Sequence, residues 1–157
     1  MDEVITYTVG DASQPATRPA IIAHVVNDVG AWGAGFTSAL ARYPLAERDY
    51  RGWRIRTLGA VLFTKVSSDL WIVHMCAQRG LPSRDRWVRG DVPLDIRALD
   101  SCLATVADYC DDAWYSIHMP RIGCGLAGGK WEDVGPLVEK WLGRFDVTVY
   151  DPKPQKP

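Results

Sequence analysis

Met119-Pro120-Arg121-Ile122-Gly123-Cys124-Gly125-Leu126-Ala127-Gly128-Gly129-Lys130-Trp131-Glu132-Asp133-Val134 is the stretch that decides the fold. An apolar run at 114–119 leads into a cluster of glycines, and a helical apolar pattern follows over 134–142. Glycines let backbone N–H groups converge without obstruction by a Cβ, and the start of a helix adds a partial positive charge. The stretch therefore predicts a strand, a glycine loop and a helix that together bind an anion, most often phosphate. The alternative is a tight connection that binds nothing.

A second loop of the same kind reads Asn27-Asp28-Val29-Gly30-Ala31-Trp32-Gly33-Ala34-Gly35. It follows the apolar run 21–26, which only His24 interrupts and which is typical of a strand covered on both faces. We interpret His24 as a core residue rather than as a catalyst. In open α/β sheets, ligands lie beyond the carboxyl ends of the strands. We therefore predict that the two loops lie side by side and hold a diphosphate from both sides.

The rest of the chain alternates between strand and helix patterns. Apolar runs predict six strands, at 5–9, 21–26, 60–66, 70–76, 115–119 and 147–150. Helical spacing predicts helices at 36–42, 45–53, 93–108 and 132–142. The third and fourth strands form a hairpin, because only Ser67-Ser68-Asp69 separates them. We predict a single α/β domain over 1–151, with one mixed sheet and helices on both faces, and a disordered tail at 152–157.

The composition excludes several classes of protein. The chain has 157 residues and a net charge of −1, which argues against a nucleic-acid scaffold. No apolar run is long enough to span a membrane, and the acidic start lacks the basic and apolar regions of a signal peptide. The four cysteines show no CxxC spacing. We therefore predict a cytoplasmic protein with reduced thiols and without a metal site.

An arginine-rich segment at 78–91 carries Arg79, Arg84, Arg86 and Arg89. Two aspartates, Asp85 and Asp91, dilute its positive charge. We interpret the segment as a solvated loop, and we predict no nucleic-acid partner.

Motifs spread over nearly the whole chain resemble those of the macrodomain family. The resemblance is narrowest to the branch that removes terminal ADP-ribose from protein carboxylates, and to its relatives in bacterial toxin–antitoxin pairs. It rests on Thr6-Tyr7-Thr8-Val9-Gly10-Asp11, Ala23-His24-Val25-Val26-Asn27 with Gly33-Ala34-Gly35, Met119 to Leu126 with Trp131-Glu132, and Val147-Thr148-Val149-Tyr150. It implies a three-layer α/β/α sandwich around a mixed, mostly parallel sheet of about six strands that binds ADP-ribose.

The resemblance also implies a role for each residue of the site. Asp11 accepts a hydrogen bond from the adenine amino group, with a turn-forming role as the alternative. Tyr150 packs beside the adenine or only in the core. Asn27 bonds the distal ribose or caps a turn, and Trp32 covers the ribose end or packs there. The residues implied at the diphosphate are Gly33, Ala34, Gly35, Gly123, Cys124, Gly125 and Leu126. Ala12, Arg121 and Ala127 complete the predicted ligand-binding residues.

The catalytic residues of that branch have no counterpart here. The branch uses a lysine that attacks the anomeric carbon and an aspartate directly after Gly-Cys-Gly-Leu. Ala127 stands at the aspartate position, and Ala77 aligns with the lysine. We therefore expect a water, held between the ligand's own phosphate and a polar side chain, to hydrolyse an ADP-ribose ester on a protein acidic residue. The predicted catalytic residues are Asn27, Asp28 and Gln78, with Cys76 as a further candidate for holding the water.

Two other functions remain open from the sequence. The first is a reader that binds ADP-ribose without cutting it. The second is an NAD-dependent oxidoreductase, because Gly123 to Gly128 matches G-x-G-x-x-G and Asp151 follows a later strand. Only a few residues follow Asp151, too few to complete such a domain. We therefore rank the oxidoreductase behind the hydrolase and the reader. The expected partner is ADP-ribose or an ADP-ribosylated protein bound by a monomer, without a cofactor.

Overall fold

The computed structural model describes residues 5–82, 92–110 and 115–154. Its strands are β1 (Thr6–Val9), β2 (Ala20–Asn27), β3 (Val61–Ser67), β4 (Leu70–Gln78), β5 (Ser116–Pro120) and β6 (Val147–Asp151). Its helices are α1 (Phe36–Ala39), which continues as a 3-10 turn over Leu40–Arg42, α2 (Pro44–Gly52), α3 (Ile96–Cys110) and α4 (Trp131–Leu142). None of these helices is long and apolar enough to cross a membrane.

The six strands form one sheet in the order β1-β6-β5-β2-β4-β3. All neighbouring strands run parallel except β3 and β4, which form the antiparallel hairpin expected from its short turn. The prediction of a mixed, mostly parallel sheet is confirmed. The order differs from the 3-2-1-4-5-6 order of the classical dinucleotide fold. The glycine motif at Gly123 is therefore not part of a dinucleotide-binding domain of that kind.

Helices cover both faces of the sheet, and β2 shows why its sequence is continuously apolar. Ile21 and Ala23 pack into the larger core cluster with α3 and α4. Ala20 and Ile22 pack on the other face, against Leu40 and against Ala46 of α2. Side chains of a strand alternate between its two faces, so a strand covered twice needs apolar residues at every position. The predicted three-layer sandwich is confirmed.

Some element bounds differ from those predicted. The helix predicted at 93–108 begins only at Ile96, because Leu94 forms a bridge with Gln78 and Asp95 caps the helix by accepting the N–H of Ala98 at 3.0 Å. The helix predicted at 36–42 is α-helical only to Ala39. Residues 152–154 have no regular structure. Most of the predicted arginine-rich loop, at 83–91, and the end of the predicted tail, at 155–157, lie outside the described residues.

Candidate functional site

A cleft opens where β2 and β5 part. These strands pair only along Ala20–Ile22 and Ser116–His118, whereas β2 continues to Asn27 and stays paired with β4 as far as Gln78. The cleft lies beyond the carboxyl ends of the strands and has a volume of about 1020 Å³. Residues 28–35 after β2 (loop 1) and residues 121–130 after β5 (loop 2) both contribute to its wall. The predicted juxtaposition of the two glycine loops is therefore present.

The side chain of Asn27 holds loop 1 in shape. Its Oδ1 accepts the N–H groups of Val29 and Ala31 at 3.1 and 3.0 Å, and its Nδ2 donates to the carbonyl of Ala31 at 2.8 Å. The buried Tyr50 hydroxyl also donates to Asn27, at 2.8 Å from Oδ1 and 2.7 Å from the main-chain oxygen. Asn27 lines the cleft, but these contacts commit its carboxamide to the turn. The turn-capping interpretation of Asn27 thus describes most of its hydrogen bonds.

Loop 2 is a tight turn that depends on its glycines. Gly129 donates its N–H to the carbonyl of Gly123 at 2.8 Å, and Gly128 donates to Gly125 at 3.0 Å. Gly123 and Gly128 have φ angles of 72° and 76°, which residues with a Cβ rarely adopt. A Cβ on Gly123 would also lie 2.9 Å from a methyl group of Leu94. Gly125, in contrast, has an ordinary φ and open space where a Cβ would point.

Both loops offer main-chain donors to the cleft. Among the residues that the structure describes, the N–H groups of Ala34 and Gly35 in loop 1, and of Gly125, Leu126 and Ala127 in loop 2, have no protein acceptor. All five residues line the cleft. The loops lie close together, since a Cβ built on Gly35 would lie 3.2 Å from a methyl carbon of Leu126. Converging N–H groups of this kind suit an oxyanion such as a diphosphate.

Asp11 lines one end of the cleft and also builds a turn. Its Oδ1 accepts the N–H and the hydroxyl of Ser13 at 2.9 and 2.7 Å, and Arg42 lies 3.6 Å from Oδ2. Burial raises the pKa of Asp11, but the hydrogen bonds from Ser13 and Gln14 and the charge of Arg42 outweigh it and hold the pKa below its ordinary value. The carboxylate is therefore charged. Its Oδ2 makes the longer contacts, with Gln14 Nε2 at 3.3 Å and with Arg42, and has capacity to accept from a ligand donor as well.

Two further predicted residues at this end have their polar groups engaged. The Tyr150 hydroxyl bonds the buried Nδ1 of His118 at 2.6 Å, so only its ring is free to line the cleft. Arg121 also lines the cleft, but its guanidinium makes a bidentate pair with Asp151 at 2.6 and 3.1 Å. The rings of Tyr7 and Trp131 lie 5.3 Å from the same guanidinium. Arg121 thus joins the elements at the rim rather than presenting an unpaired charge.

The polar candidates for catalysis occupy different places. Asp28 does not line the cleft, because its carboxylate turns to the segment after β4 and accepts the N–H of Gly80 at 2.8 Å. Gln78 is buried, lines the cleft, and donates to the carbonyl of Gly80 at 2.9 Å. Burial raises the pKa of Cys76 to about 11, with the charge of Asp28 adding to the effect, so the thiol stays protonated. Of the three predicted catalytic residues, Asn27 and Gln78 line the cleft and Asp28 does not.

Ala77 and Ala127, which the resemblance aligns with the lysine and the aspartate of the related branch, lie in different surroundings. Ala77 is fully buried in the larger core cluster, while the next residue, Gln78, lines the cleft. Ala127 lines the cleft and accepts the N–H of Leu94 through its carbonyl at 2.9 Å. No described residues form a group of three or more His, Cys, Asp or Glu that suits a metal ion.

The structure brings nearly all predicted ligand-binding residues to one cleft. The lining includes Asp11, Ala12, Asn27, Trp32, Ala34, Gly35, Arg121, Gly123, Cys124, Gly125, Leu126, Ala127 and Tyr150. Gly33 is not in the lining, since its N–H turns inside loop 1 to the Thr37 hydroxyl at 2.8 Å. Other lining residues lacked a sequence signal, among them Gln14, Phe36, Leu81 and Lys153. They come from segments with ordinary core or loop composition.

Four rings pack together beside loop 1, and the two histidines among them have lowered pKa values. Trp32 packs against Tyr50 and His74, with ring centroids 5.4 and 5.8 Å apart. His24 Nε2 lies 2.8 Å from His74 Nδ1, and both rings are buried. Burial lowers the pKa of His74 to about 4. Burial, and then the adjacent His74, lower the pKa of His24 well below its usual range. Both rings are neutral near pH 7.

These two histidines predict acid sensitivity. In the unfolded chain both histidines bind protons near pH 6.5, whereas in the folded chain they stay neutral to lower pH. The free energy of unfolding therefore falls as the pH drops below 6.5 towards 4. His74 alone accounts for a loss of roughly 2 kcal/mol between pH 7 and pH 5. Chemical denaturation at these two pH values measures it. Carboxylates with lowered pKa, such as Asp11, titrate below this window. Equal stability at both pH values would contradict the buried neutral pair.

Comparison with known proteins identifies relatives that share this fold. No family model matches the chain. A macrodomain protein from Streptomyces coelicolor superposes with a TM-score of 0.80 and 39% identity, over 94% of this chain and 98% of that one. A Bacteroides thetaiotaomicron protein of unknown function gives a TM-score of 0.88 and 39% identity, over 95% and 98%. The ADP-ribose 1''-phosphate phosphatase of Lodderomyces elongisporus is 26% identical, over 93% of this chain and 97% of its own length. With its two-loop cleft and this likeness along nearly its whole length, the chain belongs to the macrodomain family.

Proposed function

We propose that the chain binds ADP-ribose, as a monomer, with the diphosphate between loop 1 and loop 2. The observation that carries this proposal is the set of main-chain N–H groups in both loops that line the cleft without an acceptor among the described residues. A diphosphate supplies acceptor oxygens for both loops at once. An uncharged cradle of this kind also fits a protein whose net charge is −1.

The order of the strands supports one direction for the bound ligand. Asp11 follows β1, and Tyr150 belongs to β6, at one end of the sheet. The two loops follow β5 and β2 in the middle, and Gln78 ends β4 on the other side. We place the adenine beside Asp11 and Tyr150 and the distal ribose beside Trp32 and Gln78. Each part of the ligand then meets a side chain or backbone group of suitable chemistry.

We further propose that the chain hydrolyses an ester between the distal ribose and a protein acidic residue. A water bonded to a ligand phosphate attacks the anomeric carbon, the bond from that carbon to the ester oxygen breaks, and the acid leaves as a carboxylate. The water's proton passes through the phosphate oxygen that holds it to the solvent, and the ribose keeps the new hydroxyl. A carboxylate is a stable leaving group, so positioning of the water supplies much of the required lowering of the barrier. Gln78 is the side chain that we assign to holding this water, because it is polar and lines the cleft.

The test is incubation with a glutamate-linked ADP-ribosylated protein and measurement of released ADP-ribose. ADP-ribose 1''-phosphate is a second substrate to assay, because a relative that matches along nearly its whole length is a phosphatase for it. Gln78→Ala is expected to lower release with little change in affinity for ADP-ribose. Tight ADP-ribose binding without release from either substrate would establish the reader alternative, which Ala77 and Ala127 at the reactive positions favour.

Asp11→Ala is expected to weaken ADP-ribose binding by roughly 1–3 kcal/mol, the usual loss for a charged hydrogen-bond partner. The loss arises because Asp11 lines the cleft and its Oδ2, which makes only the longer contacts with Gln14 and Arg42 among the described residues, can accept from the adenine amino group. Calorimetry with ADP-ribose and with an inosine analogue measures it. Asp69→Ala serves as the matched control, since Asp69 pairs with Arg18 outside the cleft. If Asp11→Ala kept the preference for adenine, Asp11 would have no role in recognising the base.

A further inference from the structure

A buried chain of three polar side chains ends at the cleft. The Thr64 hydroxyl lies 3.0 Å from His74 Nε2, and His74 Nδ1 lies 2.8 Å from His24 Nε2. All three residues are at most 1% exposed. The nitrogen at the end of this series of contacts, His24 Nδ1, is buried and has no hydrogen-bond partner in the part of the protein that the structure describes. An unpaired polar atom in such a place is costly, so a partner from outside the protein is expected there.

The chain of contacts determines which proton this nitrogen carries. If His24 Nε2 donated to His74, then His74 would donate to Thr64, and the buried Thr64 hydroxyl would be left without an acceptor among the described residues. If Thr64 donates to His74 and His74 donates to His24, every group is paired except His24 Nδ1–H. The second arrangement leaves one unpaired polar group rather than two. It makes His24 Nδ1 a donor.

The position of His24 relates this donor to the cleft. His24 lies opposite His74 in the β2–β4 ladder, so its Nε2 faces β4. The two nitrogens of an imidazole point to different sides of the ring, and Nδ1 therefore faces away from His74. The rings of Trp32 and Phe36, which flank Gly33-Ala34-Gly35, lie 5.7 and 5.9 Å from the His24 ring. His24 itself lines the cleft.

We propose that the neutral imidazole of His24 donates a hydrogen bond from Nδ1 to an acceptor oxygen of the bound ADP-ribose, on the part held by loop 1. This inference rests on the proposed binding of ADP-ribose. His24 acts from below loop 1, while the N–H groups of Ala34 and Gly35 act from the loop itself. Thr64 and His74 are positioning residues, because they fix the tautomer that makes Nδ1 a donor. The core interpretation of His24 from its sequence context is thereby extended to a ligand-binding one.

Two substitutions separate this role from a structural one. In His24→Asn, the amide nitrogen takes the place of Nδ1, so the donor to the ligand is kept and the contact with His74 is lost. In His24→Gln, the amide takes the place of Nε2, so the contact with His74 is kept and the donor is lost. We expect calorimetry to give an affinity for ADP-ribose on the order of tenfold lower for His24→Gln and close to wild type for His24→Asn. Thermal unfolding is expected to show the opposite order, with His24→Asn the less stable.

The outcomes distinguish this inference from the proposed function. Wild-type protein that does not bind ADP-ribose overturns both. Wild-type binding with unchanged affinity in His24→Gln overturns the His24 inference alone and assigns Nδ1 to a buried water. Equal losses in the two variants also overturn it, because they indicate a structural role. Nitrogen NMR of the wild type gives an independent reading, with the Nδ1–H tautomer expected for His24 and a shift of that proton on ADP-ribose addition. The Nε2–H tautomer would contradict the inference.

Discussion

Gly125→Glu is expected to abolish ADP-ribose binding, with a loss of at least about 100-fold in affinity. Gly125 is exposed, lines the cleft, and has open space where a Cβ would point. Its φ lies in the ordinary range, so the backbone accepts a side chain without strain. The glutamate carboxylate would enter the space that we assign to the diphosphate, where like charge and bulk both oppose the ligand. Calorimetric titration with ADP-ribose measures the effect.

Gly52→Glu is the matched control for this variant. Gly52 is also exposed, also has an ordinary φ and open space around its Cβ position, and lies outside the cleft at the end of α2. The Gly52→Glu substitution adds the same charge to the protein at a position outside the cleft. We expect its affinity to equal that of the wild type. A folded Gly125→Glu protein that binds as tightly as Gly52→Glu would rule out the diphosphate position.

Gly129→Ala is expected to lower the free energy of unfolding by about 3 kcal/mol and to weaken ADP-ribose binding at least tenfold. A Cβ at this position would lie 2.6 Å from the main-chain oxygen of Gly123, the same oxygen that Gly129 bonds with its N–H. Main chain cannot move aside as a flexible side chain can, so the turn of loop 2 must open. Its N–H groups would then no longer converge. Chemical denaturation and calorimetry on the same samples measure both effects.

Gly52→Ala provides the comparison for Gly129→Ala, because a Cβ there meets nothing within 4 Å. Alanine at that position is expected to leave both stability and affinity within the range of ordinary surface substitutions, about 0.5 kcal/mol. A Gly129→Ala protein with the same free energy of unfolding as Gly52→Ala would mean that loop 2 does not need its closed turn.

The fold follows from the sequence because its signals are local. The continuous apolar run of β2 reflects helices on both faces, and the glycines after β2 and β5 mark loops that return at the same edge of the sheet. The start of α3 was not predictable in this way. Pro93 and Leu94 match the helical pattern, but tertiary contacts extend them, since Pro93 accepts the N–H of Arg79 at 2.8 Å. A nonlocal pairing thus overrides a local pattern.

The location of the site was predictable from the sequence, but the hydrogen bonding of its polar groups was not. Composition and spacing identified the residues of both loops, but they did not show which polar groups are already engaged. Arg121 pairs with Asp151, which lies 30 positions away in sequence. Asn27 is committed to its own turn, and Asp28 to Gly80. His24 shows the reverse case, because an apolar context suggests a satisfied core residue while one of its nitrogens lacks a partner.

The most direct test of the account is a crystal structure with ADP-ribose at saturating concentration. We predict diphosphate oxygens within hydrogen-bonding distance of main-chain nitrogens of both loops, at Ala34 or Gly35 on one side and at Gly125 or Leu126 on the other. The adenine is expected beside Asp11. A diphosphate that contacts neither loop, or a ligand bound outside the cleft, would contradict the account.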